Sequence, residues 1–311
     1  MQLRTYQLTD FEAVYALWQA TLGSRWPLSA PYFQRMISGA AVYRPGDHFV
    51  LEEAGRIIGF AATQTHAAGK SASLQLIMVS PAYQRQGFGR QLHDAAFEHL
   101  RGKNVAKINV AVGGAEIFWC GVPDNASGAR AFFEACGWDL AYPNYDLTRD
   151  LRAYQTPDGV LERVTRAGIQ LRAADAAEAP LVQAFEREHF DFWAEYFDLT
   201  AHQGRFQDII AAWDGAKVVG SLLIENPSAA ALNASAVWHN LLGDNMGMIG
   251  AVGVDEAYRE RGIGLALVAY ASEIQRDRGV GQCVIGWTDL LSFYGRLGYQ
   301  VWQGYQLADA R

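Results

Sequence analysis

The stretch MVSPAYQRQGFGRQL, residues Met78–Leu92, has a second copy in the chain, GVDEAYRERGIGLAL, residues Gly253–Leu267. Six residues are identical in register, each 175 positions (254 − 79) from its partner. In the first copy they are Val79, Ala82, Tyr83, Gly87, Gly89 and Leu92. A glycine pair alone is weak evidence, because 31 of the 311 residues are glycine. The repeat predicts two copies of one fold, each with a glycine-rich turn between a strand and a helix.

The length and composition fit two domains. A chain of 311 residues is long for one core, and because half of its residues are hydrophobic, each half can bury a core of its own. We predict an N-terminal domain over residues 1–150, a polar linker over 151–167 and a C-terminal domain over 168–311. The net charge of −7 disfavours nucleic acid as a partner.

Sequence patterns that bind metals or span membranes are missing from the chain. Its 3 cysteines lack C-x-x-C spacing and its 7 histidines form no cluster, which predicts reduced thiols and no metal site. The first residues do not read as a signal peptide, and no apolar run reaches the about 18 residues that span a bilayer. We therefore expect a cytoplasmic protein, monomeric or homodimeric, with no membrane partner.

The predicted elements follow the same order in both halves. Each half reads as a strand, a helix, a hairpin, the strand before the glycine turn, the helix after it, a further strand and a last helix. The predicted fold class is α/β, with a central mixed β-sheet flanked by helices in each half. The first half has 14 extra residues, Gly113–Ala126, before its last helix. They form either an inert surface loop or a pocket wall.

The glycine turns are candidate anion sites. Without a Cβ, glycine lets the backbone turn sharply, so that N–H groups converge at a helix N-terminus, where the helix dipole favours an anion. Such a turn suits a diphosphate, whereas the alternative is a plain turn with solvated arginines. The candidate cofactor-binding residues of the first copy are Met78, Val79, Gln84, Arg85, Gln86, Gly87, Phe88, Gly89 and Arg90. Those of the second copy are Val252, Gly253, Val254, Arg259, Glu260, Arg261, Gly262, Ile263, Gly264 and Leu265.

The motifs Q-x-x-G-x-G at Gln84–Gly89 and R-x-x-G-x-G at Arg259–Gly264 resemble the acetyl-CoA signature of GNAT N-acetyltransferases. The resemblance covers nearly the whole chain as two consecutive GNAT-type acyl-CoA N-acyltransferase domains, and it implies acetyl-CoA as co-substrate with no metal. A Rossmann site is disfavoured, because its fingerprint is G-x-G-x-x-G with an acidic residue about 20 positions later. A nucleotide triphosphatase is disfavoured because the Walker lysine is missing.

The resemblance also implies a mechanism. A substrate amine attacks the thioester directly, and backbone N–H groups near Val79 or Val254 polarise the acetyl carbonyl. In the family, a tyrosine on the last helix protonates the departing CoA thiolate, and Tyr294 matches that tyrosine. Phe133 takes this position in the first half and has no proton to donate. We expect the C-terminal half to be catalytic and leave open whether the N-terminal half binds acetyl-CoA.

The general base and the acceptor site are less clearly marked. Many relatives place a glutamate on the strand before the turn, and neither half has one there. A water relay to Glu225 or His239 is one reading, and a plain surface or loop role for each is the other. The segment Glu186–Asp198 lies where the family builds its acceptor pocket. Within it, Glu195 could attract a cationic amine, or the segment could be an amphipathic helix with a solvated acidic face.

The expected acceptor is a small molecule with a primary amine. The segment CGVPDNASGARAFFEACGW, residues 120–138, resembles GNAT domains associated with amino-sugar metabolism. The competing hypothesis is a non-catalytic acetyl-CoA-binding protein, such as a sensor with degenerate GNAT domains. One half already lacks the tyrosine, and neither half shows the strand carboxylate.

Overall fold

The contacts within the chain divide it into two units. The computed structural model describes residues 1–39, 43–65, 71–112, 117–126, 128–225 and 237–310. The first unit contains Met1–Tyr145, residues 237–241 and the end of the chain from Gln303. The second unit contains residues 146–225 and Leu242–Trp302. The domain boundaries at 150 and 168 concern the sequence repeat and stay a prediction.

The first unit is a sheet flanked by helices. Strands β1 to β4 pair antiparallel in sequence order, and β5 lies parallel beside β4. The elements in chain order are β1 (Gln2–Thr5), α1 (Phe11–Thr21), α2 (Ala30–Ser38), β2 (Phe49–Glu53), β3 (Arg56–Thr65), β4 (Ser71–Val79), α3 (Phe88–Arg101), β5 (Lys107–Val110), β6 (Val122–Pro123), α4 (Ala129–Ala135) and β7 (Trp138–Asp150), the last of which ends in the second unit.

The second unit repeats this arrangement. Strands β8 to β11 pair antiparallel in sequence order, and β12 lies parallel beside β11. The elements of the remaining chain are α5 (Val160–Arg166), β8 (Ile169–Ala173), α6 (Ala179–His189), α7 (Asp191–His202), β9 (Ile209–Asp214), β10 (Lys217–Glu225), α8 (His239–Leu242), β11 (Gly247–Val254), α9 (Ile263–Asp277), β12 (Gln282–Thr288), α10 (Leu291–Gly295) and β13 (Gln300–Ala310). Most of α8 and the end of β13 belong to the first unit.

Each sheet gains a strand from the other half of the sequence. In the first unit β13 pairs with β5, where Asp309 lies opposite Asn109. In the second unit β7 neighbours β12, and the N–H of Trp287 donates to Asp146 at 3.0 Å. Together with residues 237–241, these two strands make the units differ from the halves of the sequence.

In each unit, the helix after the glycine turn packs closely on the strand that neighbours the one before the turn. The helices are α3 and α9, and the glycines that allow the close packing lie on β3 and β10. A Cβ on Gly59 would lie 2.7 Å from Cδ1 of Leu92, and a Cβ on Gly220 would lie 3.1 Å from Cδ1 of Leu267. Leu92 and Leu267 are the last residues shared by the two motif copies, and both are fully buried. The repeated leucine therefore packs each motif helix onto its sheet.

The structure confirms the predicted mixed α/β architecture in two halves. Residues 151–167, expected as a linker, contain α5, whose Val164 is buried. Strands β7 and β13 were not predicted. Pro143 lies inside β7, and proline disfavours a strand in sequence-based reasoning because it lacks the N–H donor.

The extra segment of the first half contributes to an aromatic cluster. Of Gly113–Ala126, residues 113–116 lie outside the described residues. Phe118 lies 5.4 Å from Trp18 between ring centroids, and Trp119 lies 5.9 Å from Trp238. Phe118 and Trp119 are both buried, so these two residues pack in the interior of the first unit, whereas Asp124 and Asn125 of the same segment are exposed.

Candidate active site

The second glycine turn is a loop with two left-handed residues between β11 and α9. Glu260 and Gly262 have φ angles of 64° and 91°, and α9 begins directly after Gly262. Asp255 fixes the start of the loop, since its carboxylate accepts the N–H of Ala257 at 2.9 Å and lies 2.9 Å from Nζ of Lys217. Alternation of left-handed residues directs successive N–H groups into one concavity, which suits an anion.

The first glycine turn repeats this backbone in the first unit. Arg85 and Gly87 have φ angles of 63° and 89°, at the same offset of 175 from their counterparts. Nε2 of Gln84 donates to the carbonyl of Val79 at 2.9 Å, and Nε2 of Gln86 donates to a carbonyl four residues earlier at 3.1 Å. Both motif copies therefore form the same loop.

The second glycine of each loop makes room for the last helix of its unit. A Cβ on Gly89 would lie 3.1 Å from Cε2 of Phe132 in α4, and a Cβ on Gly264 would lie 3.5 Å from Cζ of Phe293 in α10. These contacts hold α4 and α10 at equivalent places beside the two loops.

Tyr294 follows Phe293 in α10. It is only 6% exposed, and burial raises the pKa of its hydroxyl to about 12. The hydroxyl therefore stays protonated at neutral pH and can act as a proton donor. Phe133 follows Phe132 in α4 and is buried as well, but it offers no proton.

Two parallel strands separate beside the second loop. The paired residues of β11 and β12 are Gly247 with Cys283 and Met248 with Val284, although both strands continue beyond this point. At Ala251, β11 has a φ of 50°, and its register with β10 shifts. A carbonyl oxygen placed in this opening could accept from N–H groups of β11.

The first unit has a similar separation. The last paired residues of β4 and β5 are Leu74 and Val110, and Ala111 follows with a φ of 63°. The register of β4 with β3 shifts between Ala62 and Thr63. The early end of the parallel pairing and the register shift of the strand before the glycine turn are therefore present in both units, whereas the left-handed residue of β11 has no counterpart on β4.

Glu225 is a half-buried carboxyl at the end of β10. It lies opposite Met248 of β11, and Nε2 of Gln275 donates to its backbone carbonyl at 2.9 Å. Burial raises the pKa of Glu225 to about 7, an effect that the charge of Arg205 partly offsets and that of Asp208 reinforces. A carboxyl that titrates near neutral pH is suited to accept a proton from an amine.

The other two acceptor-side candidates lie in different units. Glu195 is exposed on α7 of the second unit. His239, at the start of α8, belongs to the first unit, where its ring centroid lies 4.9 Å from that of Tyr32. The structure therefore places Glu195, Glu225 and Tyr294 in one unit and His239 in the other.

Glu186 was not predicted as a site residue of its own. It lies in α6, is fully buried and is hydrogen-bonded to Ser221 of β10, while its Oε2 has no hydrogen-bond partner among the described residues. Burial raises its pKa to about 8. The sequence did contain one indication that Glu186 is buried: it lies four residues after the apolar Val182, and so on the same face of the helix.

Other chemistries have little support in the described structure. Burial raises the pKa of the Cys283 thiol to about 12, so this cysteine is a poor nucleophile. Within the described ranges, no group of three or more His, Cys, Asp or Glu side chains could hold a metal ion. In those same ranges, no helix is both long and apolar enough to cross a membrane.

Comparison with known proteins identifies the fold family. Residues 11–138 and 172–299 each match the sequence profile described as the acetyltransferase (GNAT) family. The chain belongs to the GNAT family. Members of this family use acetyl-CoA. A comparison with curated protein sequences gave no significant match for this GNAT protein.

Solved structures of other GNAT proteins resemble the whole chain. One is a glucosamine N-acetyltransferase region in a fungal multi-domain GH3 β-N-acetylglucosaminidase, with 32% identity, a TM-score of 0.91 and coverage of 99% of this chain and 38% of that one. This GNAT protein thus spans 38% of that chain's length. A GNAT protein from Sphaerobacter thermophilus has 17% identity, a TM-score of 0.72 and coverage of 99% and 94%. A tandem GNAT protein from the clavulanic acid pathway has 15% identity, a TM-score of 0.64 and coverage of 99% and 98%.

Proposed function

We propose that this GNAT protein transfers the acetyl group of acetyl-CoA to the primary amine of an amino sugar of the glucosamine type. The observation that carries the acceptor is the 32% identity, over 99% of this chain, to the fungal glucosamine N-acetyltransferase region. The other two solved structures share too little sequence to indicate an acceptor. The amino-sugar resemblance of residues 120–138 agrees with the same choice.

The proposed cofactor site is the second glycine loop together with the separated end of β11. The main-chain amides of the loop suit the diphosphate of CoA, since they supply several N–H donors at the N-terminus of α9. The residues we assign to this site are Val252, Gly253, Val254, Arg259, Glu260, Arg261, Gly262, Ile263, Gly264 and Leu265. Acetyl-CoA supplies an activated acetyl thioester. The first loop has the same backbone, and we propose it as a second, non-catalytic binding site.

The proposed reaction is a direct acyl transfer. The nitrogen of the free amine forms a bond to the acetyl carbon, and the bond from that carbon to sulfur breaks. N–H groups of β11 near Val254 stabilise the negative charge that develops on the carbonyl oxygen. Tyr294 donates its proton to the leaving sulfur, and the amine loses one proton to the base. Atoms and charge therefore balance with one acid and one base.

We propose Glu225 as that base, acting through a water molecule. The ammonium form of an amino sugar releases one proton to the solvent, and the free amine is the species that attacks. Its nitrogen becomes positively charged as the bond to the acetyl carbon forms, and it must then lose one proton to the base to give the amide. A carboxyl with a pKa of about 7 accepts that proton far better than an exposed glutamate, whose ordinary pKa is 4.5. Glu195, exposed on α7, is proposed to attract the cationic substrate. His239 remains a weaker candidate, because its described contacts belong to the first unit.

A panel of amines tests the proposal. CoA thiol release is measured with glucosamine, a polyamine, an aminoglycoside, an amino acid and a peptide N-terminus as acceptors. We expect glucosamine to give the highest kcat/KM and a product heavier by one acetyl group. A clear preference for another amine would overturn the acceptor. Tight binding of acetyl-CoA without transfer to any amine would favour the sensor hypothesis instead.

A further inference from the structure

An arginine from outside the sequence repeat lies against the second glycine loop. Arg163 is in α5, which packs against α9, the helix that the loop precedes. Its Nη2 donates to the backbone carbonyl of Glu260 at 2.9 Å. Its Cδ and Nε lie 3.2 and 3.3 Å from the position of a Cβ on Gly262. The guanidinium therefore lies directly beside the two left-handed residues of the loop.

The first loop has the same backbone and a different neighbourhood. In the described chain, no atom beyond the adjacent residues lies within 4 Å of a Cβ position on Gly87. In the second loop, the side chain of Arg163 covers the equivalent Gly262 with a guanidinium group. The two loops thus share a backbone shape, and among the described residues only the second has an arginine from a distant helix beside its first glycine.

The contact has two physical consequences. First, the hydrogen bond fixes the guanidinium of Arg163 against Glu260, one of the two left-handed residues of the loop. Second, the guanidinium has five N–H donors and uses one of them on Glu260. Because Arg163 is exposed, other donors remain for an anion that enters the loop.

We infer that Arg163 is a phosphate-binding residue of the second loop, and that it makes the second unit the tighter site for the diphosphate of CoA. The inference rests on the proposed function, since it assigns CoA to this loop. Main-chain amides offer partial charges, and an arginine adds a full charge with the fork geometry that phosphate oxygens accept. Its position on α5 explains why the motif alone does not reveal it.

The test is the calorimetric affinity of the full chain for CoA, a measurement that needs no acceptor. The variants are Arg163→Gln, which keeps a donor without the charge, and Arg163→Lys, which keeps the charge. Arg166→Gln is the control, because Arg166 is exposed on the same helix. Arg163→Gln should weaken the tighter site about tenfold, the loss expected for a hydrogen bond to a charged group. Arg163→Lys should lose less, and Arg166→Gln should stay close to the wild type.

The dependence of CoA affinity on ionic strength distinguishes an effect of the charge of Arg163 from an effect on the loop conformation. If Arg163 acts by charge, the difference between wild type and Arg163→Gln should shrink as ionic strength rises. An affinity of Arg163→Gln equal to that of Arg166→Gln would overturn the inference, and so would a loss that is the same at low and high salt. If the wild type itself takes up no CoA, the proposed function fails. Thermal unfolding of each variant shows whether it is folded, and Arg163→Lys provides the test if Arg163→Gln is not.

Discussion

A carboxylic acid enclosed by the protein keeps its proton to a higher pH than one in water. Burial raises the pKa of Glu186 to about 8, against an ordinary value of 4.5 for an unfolded glutamate. Between these two values the folded protein binds one more proton than the unfolded chain, so the free energy of unfolding falls as the pH rises. The stabilising contribution of Glu186 is complete below pH 4.5 and is lost as the pH rises through about 8.

The Glu186→Gln variant should remove this pH dependence. Glutamine keeps the shape and the hydrogen bond to Ser221 but cannot ionise. We expect the stability of the wild type to fall relative to the variant by about 1.4 kcal/mol per pH unit across the window. Urea denaturation at several pH values between the two pKa values measures it, with the exposed Glu195→Gln as control. Parallel stability curves for wild type and Glu186→Gln would show that Glu186 is not the buried acid described here.

At the scale of elements, the motif strand β11 is held between two helices. Gly220 and Ser221 are neighbours on β10, so their Cβ positions lie on opposite faces of the sheet. Ser221 meets Glu186 of α6, and a Cβ on Gly220 would meet Leu267 of α9. On the α6 side of β11 the ring of Phe190 covers Gly253, since its Cε2 lies 2.4 Å from the position of a Cβ there. Gly253 is therefore a packing requirement as well as part of the motif.

Alanine at Gly253 should destabilise the protein through this contact. The added methyl group forces Phe190 to move, and overpacking of this kind lowers the free energy of unfolding by about 1–3 kcal/mol. Gly250→Ala is the matched control on the same strand, because in the described part of the chain no atom beyond its adjacent residues lies within 4 Å of its Cβ position. The penalty at Gly253 should shrink in a Phe190→Ala background. Equal losses at Gly250 and Gly253 would contradict this account of the packing.

The strand, loop and helix of each motif could be predicted because their signals are local. A glycine in a turn and an apolar period on a helix belong to the segment itself, and the fold class follows from their repeated order. Elements stabilised by distant partners could not be predicted in this way. Strand β13 is paired through residues such as Asp309 and Asn109, which are far apart in the sequence. The contact of Phe190 with Gly253 is likewise visible only once the helix lies on the sheet.

For the whole molecule, the sequence repeat hides a chemical difference between the two units. In the second unit, burial raises the pKa values of the candidate base Glu225, the candidate acid Tyr294 and Glu186. The first unit has Phe133 in place of the tyrosine and an aromatic cluster that includes Trp18 and Phe118. Equal backbone loops and unequal side chains fit one transferring unit and one that binds or supports.

Candidate site residues could be predicted only where a motif marked them. The loop residues around Gly262 and the aligned Tyr294 came from the repeat and the family resemblance, and their roles stay predictions. The environment that sets an acid's pKa comes from other parts of the fold. Arg163 contacts Glu260, 97 positions away, and Ser221 contacts Glu186, 35 positions away. No sequence spacing could have predicted either contact.

The central claim is that the whole chain depends on the hydroxyl of Tyr294 for acetyl transfer. Tyr294→Phe gives the second unit the residue type that the first unit already has at Phe133. The most direct measurement is kcat for glucosamine acetylation beside the calorimetric affinity for CoA, with Tyr142→Phe as a control at an exposed tyrosine of β7. We predict a loss of about 10²–10⁴ in kcat, as for removal of a general acid, with little change in CoA affinity. A Tyr294→Phe variant that turns over at the wild-type rate would contradict the account.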